Sequence, residues 1–214
     1  DSTIFSLAEA ILDLDADIIA FQELRRIGWF SKLMLYLPKY KYVVSHQASF
    51  MDLAIIYKHE FFKLIRQIEP FAENDYNFAG RSPLQADLIY NKNNQEIPIS
   101  IINLHMKCCD SGLQRRKNAV NMLHNYVDET FESQPNIILL GDWNDDTKDE
   151  AGQHGARCAE GTRVARARGH RRIITFKFKI TKSGMNCFIS CINFWFKEYM
   201  ISILSKMNPI NSIN

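Results

Sequence analysis

The sequence predicts a mixed helix-and-sheet protein built in layers, and three observations carry that expectation. Short β-rich segments recur from Ile18 onward, one of them (Ile97 to Met106) is apolar on both faces, and two longer stretches place apolar residues at helical spacing. A strand buried on both sides needs a cover on each, which a layered structure supplies and a single half-solvated sheet does not. At 214 residues and 46% hydrophobic content the chain suits one domain, or one domain with an appendage.

In chain order, Ser2 or Thr3 caps a helix with Ile4, Leu7, Ala8, Ile11 and Leu12 at helical spacing, ending near Asp13. After the Asp15-Ala16-Asp17 corner, Ile18 to Phe21 reads as a short buried strand with Gln22-Glu23 at its tip. A short helix, Ser31 to Leu37, stops at Pro38, and strands follow at Tyr40 to Ser45, Leu53 to Tyr57 and Phe61 to Ile68. Gly80-Arg81-Ser82-Pro83 forms a turn leading into the strand Leu84 to Tyr90. In Ile97 to Met106, Ile99, Ile101, Asn103 and His105 share one face, while Ile102, Leu104 and Met106 share the other. Leu113 to Phe131 is an amphipathic helix with Val120, Leu123, Val127 and Phe131 toward the core. Ile137 to Leu140, bounded by Pro135 and Gly141, is too short for a helix and reads as a buried strand.

Several function classes fall away. No apolar run reaches the ~18 to 20 residues of a membrane-spanning helix, and Lys197 and Glu198 cut short the longest candidate, Cys187 to Phe196. Five cysteines without a CxxC pair argue for neither a disulfide framework nor a zinc site. Cys108 and Cys109 are adjacent and read as ordinary strand-end residues, with reactive thiols as the alternative. A calcium loop on Asp142, Asn144 and Asp146 fails, because Thr147 and Gln153 stand where the loop needs glycine and glutamate.

The chemistry concentrates in NIILLGDWNDD, Asn136 to Asp146. An extended chain points residues two apart the same way, so Asp142 and Asn144 project together from the strand's end. A carboxylate beside a carboxamide offers a base or metal ligand plus a neutral donor for a phosphoryl or carbonyl oxygen. Glu23 stands at another strand tip, where alone it would be a solvated charge. Arg81, at its turn, could hold a phosphate oxygen by a forked pair of hydrogen bonds or could simply be solvated. His105 alone would be a structural histidine.

Taken together and in order, Phe21-Gln22-Glu23-Leu24, Asn103-Leu104-His105 and Gly141-Asp142-Trp143-Asn144, with GRSP between the first two, resemble the endonuclease/exonuclease/phosphatase superfamily, the DNase I-like fold. The resemblance covers about Thr3 to Glu150. It implies an α+β fold of two packed, mostly antiparallel β-sheets flanked by helices, a four-layer α/β/β/α sandwich. It also implies metal-dependent phosphodiester hydrolysis, most of all of an endonuclease kind, with nucleic acid or another phosphodiester as substrate. On that basis Glu23 would bind a divalent cation, Mg2+ or Mn2+. Asp142 would orient or deprotonate the attacking water, Asn144 would hold the phosphate, His105 would contact the scissile phosphate and assist proton transfer, and Arg81 would be an auxiliary phosphate ligand. The superfamily also uses an asparagine on an earlier strand and a late aspartate-histidine pair. Neither is found in this sequence, so an incomplete and catalytically impaired domain is expected.

Composition divides the chain near residue 150. Residues 1–150 hold 15 Lys and Arg against 22 Asp and Glu, about −7, whereas 151–214 hold 11 against 2 and no aspartate. The acidic balance of the first part weighs against strong nonspecific duplex binding and keeps lipid or small-molecule phosphoesters in view. The second part, basic and then rich in Ile, Phe, Lys and Asn, could be a nucleic-acid arm, an added module or sequence unrelated to the domain, and the last fits its two changes of composition. Part of Phe176 to Tyr199 can still form strand or helix.

Overall fold

In the computed structural model, the described residues are 2–25, 27–46, 51–92, 95–131, 133–134 and 136–144, together with the backbone of strands at 158–159, 162–163, 177–182 and 185–192. Three α-helices are present among them: α1 (Ser2–Leu14), α2 (Ile27–Leu35) and α3 (Leu113–Phe131). The strands are β1 (Ile18–Leu24), β2 (Tyr40–Val44), β3 (Asp52–Lys58), β4 (Phe62–Ile68), β5 (Leu84–Lys92), β6 (Gln95–His105), β7 (Ile137–Asp142), β8 (Cys158–Ala159), β9 (Thr162–Arg163), β10 (Lys177–Lys182) and β11 (Met185–Ile192).

Two sheets dominate. The first runs β10-β11-β1-β3-β2 and the second β4-β5-β6-β7. All neighbours pair antiparallel except β6 and β7, which are parallel and joined through α3. A parallel pair needs such a crossover, because a hairpin can only reverse the chain. β8 and β9 form a separate two-stranded ladder.

The alternation of side chains along the strands builds three cores. On β1, Ile19 and Phe21 face the helices and pack with Ile4, Leu7, Ala8 and Ile11 of α1 and Phe30 and Leu33 of α2. Ile18 and Ala20 face the other way, into a layer between the sheets shared with Leu53, Ile55, Leu84, Ala86, Ile99, Ile101 and Leu140. Beyond the second sheet, Ile102, Leu104 and Met106 pack with Ala119, Leu123 and Val127 of α3. The result is the α/β/β/α sandwich expected from the sequence, and the two-faced reading of β6 is the register the structure adopts.

The differences have local causes. α2 begins four residues before the expected Ser31, since Gly28 sits with no atom within 4 Å of where a Cβ would stand and is tolerated on an open helix face. β1 and β7 continue through the polar tips that the apolar pattern had marked as their ends, because Glu23 and Asp142 belong to the strands themselves. β10 and β11 arise from the segment after residue 150, and β11 pairs with β1 from Ile18↔Ile192 to Gln22↔Phe188. The change of composition therefore does not mark where sheet strands cease. Six arginines between Arg157 and Arg172 lie mostly outside the described residues, as do the acidic positions after Asn144.

Candidate active site

The tips of β1, β6 and β7 meet at one end of the sandwich, and what joins them is a pair of buried amides. Gln22, fully buried, donates from Nε2 to Oδ1 of Asn103 at 2.7 Å. Asn103, also fully buried, donates from Nδ2 to the carbonyl oxygens of Phe21 at 2.8 Å and Ala54 at 3.0 Å. One carboxamide thus ties β6 of the second sheet to β1 and β3 of the first, directly beneath the charged tips. Carboxamides suit this position because each carries both a donor and an acceptor without a charge to desolvate.

Glu23 has φ of 62°, in the left-handed region, and the β1–β3 register slips between Phe21 and Leu24. That is a β-bulge, a device that re-aims a side chain at the edge of a site. It brings Oε1 of Glu23 to 3.8 Å from Nε2 of His105, which is 96% removed from solvent. His105 lies opposite Asp142 in the parallel β6–β7 register, and the Met106 N–H donates to the Asp142 carbonyl oxygen at 2.8 Å.

Asp142 is buried, and its Oδ1 accepts the Asn144 backbone N–H at 2.9 Å. This turn requires Asn144 to adopt φ of 48°, a left-handed conformation that asparagine tolerates better than most residues. The straight extension expected past Leu140 is therefore replaced by a curl after Asp142. Asn144 still points back to the site, but one of its amide hydrogens goes to the Met106 carbonyl oxygen at 2.8 Å. Gly141 makes the approach possible: its φ is 133°, and a Cβ there would lie 1.9 Å from the Leu104 carbonyl oxygen.

Arg81 reaches the same place from the loop before β5. Its Nη2 donates to the carbonyl oxygens of His105 at 3.4 Å and Met106 at 3.3 Å. Burial pulls its guanidinium below the usual arginine value, while the negative charges of Glu23 and Asp142 act in the opposite sense. Arg81 Nε and Gln22 Oε1 are buried without a hydrogen-bond partner among the described residues. Polar capacity left over in this way is uncommon in a folded interior and is what a ligand site retains.

All five residues singled out from the sequence, Glu23, Arg81, His105, Asp142 and Asn144, are thus gathered at one end of the sandwich. Gln22 and Asn103 stood in the quoted motifs without an assigned part, and their burial side by side gives them one as positioning residues. Among the described residues no group of three or more His, Cys, Asp or Glu forms a ready-made metal cage. The donor set is nonetheless one of hard oxygens, with the Glu23 side chain 17% exposed at the tip. Such a set fits magnesium or manganese, since magnesium is held by one or two carboxylates and completes its shell with waters.

This sandwich, with its buried inter-sheet layer and a polar site at the strand tips, has the DNase I-like fold. Among solved structures, it resembles TDP2 of D. rerio complexed with single-strand DNA product, at a TM-score of 0.57 and 14% identity over 88% of this chain and 76% of that one. An endonuclease/exonuclease/phosphatase family protein from Bacteroides thetaiotaomicron gives 0.57 and 13%, over 86% of both chains. The mannosyl-6-phosphatase Bt3783 of the same organism gives 0.59 and 14%, covering 87% and 89%. No family model and no curated protein sequence matches the chain.

Proposed function

We propose that this protein is a metal-dependent phosphodiester hydrolase of nuclease type. The observation that carries the reading is the convergence of Glu23, Arg81, His105 and Asp142, from four separate segments, on one buried polar end of the sandwich. Phosphodiester hydrolysis needs an aligned water and compensation of charge on the phosphoryl oxygens and the leaving group. A bound magnesium or manganese ion would supply part of that compensation.

The chain's own residues supply the rest. Glu23 holds the cation through carboxylate oxygens that the bulge aims into the site. Asp142, fixed by the Asn144 N–H, orients the water and accepts its proton. Arg81 and the remaining amide hydrogen of Asn144 hold non-bridging phosphate oxygens. His105, with its Nε2 3.8 Å from Oε1 of Glu23, contacts the phosphate and assists proton transfer. The single-strand DNA product in the D. rerio TDP2 structure supports nucleic acid as the first substrate class. The acidic balance of residues 1–150 and the likeness to a sugar phosphatase support small phosphoesters as the alternative.

A second reading has its own observation. Residues 151–214 offer no aspartate for the aspartate-histidine pair that the superfamily resemblance implies, which favours an inactive binding or interaction protein on the same scaffold. Assays on plasmid DNA, a short single-stranded oligonucleotide and a generic aryl phosphodiester, with and without a chelator, separate the two. The hydrolase reading predicts turnover that a chelator abolishes and magnesium restores, with Glu23→Gln requiring more magnesium for the same rate. Binding of the oligonucleotide without any turnover would establish the second reading instead.

A further inference from the structure

Just past His105 the chain makes a second arrangement that the proposed hydrolysis does not use. Cys108 and Cys109 are both exposed free thiols, and Cys109 donates its S–H to the Cys108 sulfur with the two sulfurs 2.9 Å apart. Neighbouring residues do not ordinarily turn their side chains together, because an extended chain points them to opposite sides. Here Cys109 has φ of 68°, a left-handed conformation unusual for a residue with a Cβ.

Such a backbone persists only where its surroundings over-determine it. Arg116, 96% removed from solvent, donates from Nη1 to the carbonyl oxygens of Lys107 at 3.0 Å and Cys109 at 2.8 Å. The Gly112 N–H adds a second hold on the Cys109 carbonyl oxygen at 2.9 Å. Gly112 is itself obligatory in this packing, since a Cβ there would lie 2.7 Å from the Lys107 side chain. A buried arginine and a crowded glycine therefore clamp the loop in the shape that presses the sulfurs together at the surface.

From this geometry we infer that Cys108 and Cys109 form an oxidisable dithiol that hydrogen peroxide converts to a vicinal disulfide. The inference goes beyond phosphodiester hydrolysis and does not depend on it. The Cys108 thiolate attacks one peroxide oxygen, the O–O bond breaks, and hydroxide leaves and takes a proton, giving a sulfenic acid and one water. The Cys109 sulfur then attacks the Cys108 sulfur and displaces the hydroxyl, which leaves as a second water with the Cys109 proton. Two thiols lose two electrons in total and one peroxide gains them. Adjacent Cα atoms are about 3.8 Å apart across a trans peptide, below the about 4.4 to 6.8 Å of ordinary disulfides, so the product is strained and readily reduced. Its closure would pull on the Lys107–Cys109 backbone, one residue beyond the Met106 carbonyl oxygen that receives both Arg81 and Asn144.

The full chain, folded and with all its cysteines, is treated with hydrogen peroxide, quenched by alkylation and digested with trypsin. Cleavage after Lys107 and Arg115 leaves both thiols in one peptide, residues 108–115. That peptide should lose the mass of two hydrogens, escape alkylation and regain both after dithiothreitol. Closure should be at least about tenfold faster in the folded chain than in urea, because the fold has already oriented the reacting sulfurs. Cys109→Ser should leave a Cys108 sulfenic acid that dimedone traps on the same peptide. Equal rates in the folded and urea-treated chains would overturn the inference. So would recovery of peptide 108–115 cross-linked to Cys158, Cys187, Cys191 or another chain instead of internally closed.

Discussion

Asp142 could be drawn from the sequence as a strand-tip carboxylate, but what it needs from its neighbours could not. Its setting depends on Gly141, where β6 passes so close that the Leu104 carbonyl oxygen occupies the space of any Cβ. Gly141→Ala should therefore cost at least about 2 kcal/mol from overpacking and left-handed strain together, measured by urea unfolding. An unchanged midpoint would show that β7 can withdraw from β6 without penalty. Gln22 and Asn103 were equally visible as letters in QE and NLH, yet nothing in the sequence says that two residues 81 positions apart share a hydrogen bond. Asn103→Ala leaves the Gln22 amide buried and unpaired, so a loss of about 1 to 3 kcal/mol is expected. Coupling measured in a double-mutant cycle with Gln22→Ala should be of similar sign, and strictly additive losses would show that the bridge carries no energy.

At the level of elements, periodicity found what depends on burial. α1, α3 and the strands from β1 to β7 follow from apolar spacing, because each element must hide one stripe or face. What periodicity missed depends on backbone exceptions. The bulge at Glu23 and the left-handed turn at Asn144 have no compositional mark, although both decide where a functional side chain points. β10 and β11 were obscured because their composition departs from that of the preceding domain, while a strand edge such as that of β1 accepts any backbone able to extend. At the far end of β1 and β3 a different device secures the sheet. Lys58 and Asp17, both nearly buried, pair at 3.2 Å, and Asp15 adds a second carboxylate at 2.8 Å. Burial alone would lower the Lys58 ammonium, but the hydrogen bonds it donates to Asp15 and Asp17 overcome that and hold the group above the usual lysine value. With the folded value raised, this stabilisation is complete below the unfolded lysine value of about 10.4 and fades as pH rises through the folded one. Alkaline unfolding above about pH 10 should therefore be blunted in Lys58→Met relative to its own stability at neutral pH. Asp17→Ala, which leaves the buried ammonium with Asp15 alone, should lose about 1 to 3 kcal/mol at neutral pH in a denaturant melt. A loss within error of zero would mean that the ion pair is no more than a surface contact.

The whole molecule places its polar exceptions at one end of an otherwise apolar sandwich. Three cores hold the four layers together, and the inter-sheet layer ends in the Gln22–Asn103 bridge instead of a further apolar contact. That exchange costs packing and provides a firm floor for Glu23, His105 and Asp142, the arrangement expected where chemistry rather than stability sets the residue type. Among the described residues no helix is long and apolar enough to cross a membrane. The most direct measurement of the central claim is magnesium-dependent cleavage of a single-stranded oligonucleotide by the unmodified chain and by Asp142→Ala under identical conditions. The hydrolase account predicts turnover in the first and a fall of at least about 100-fold in the second, the loss typical of removing a positioned proton acceptor. Equal rates in the two proteins would contradict it.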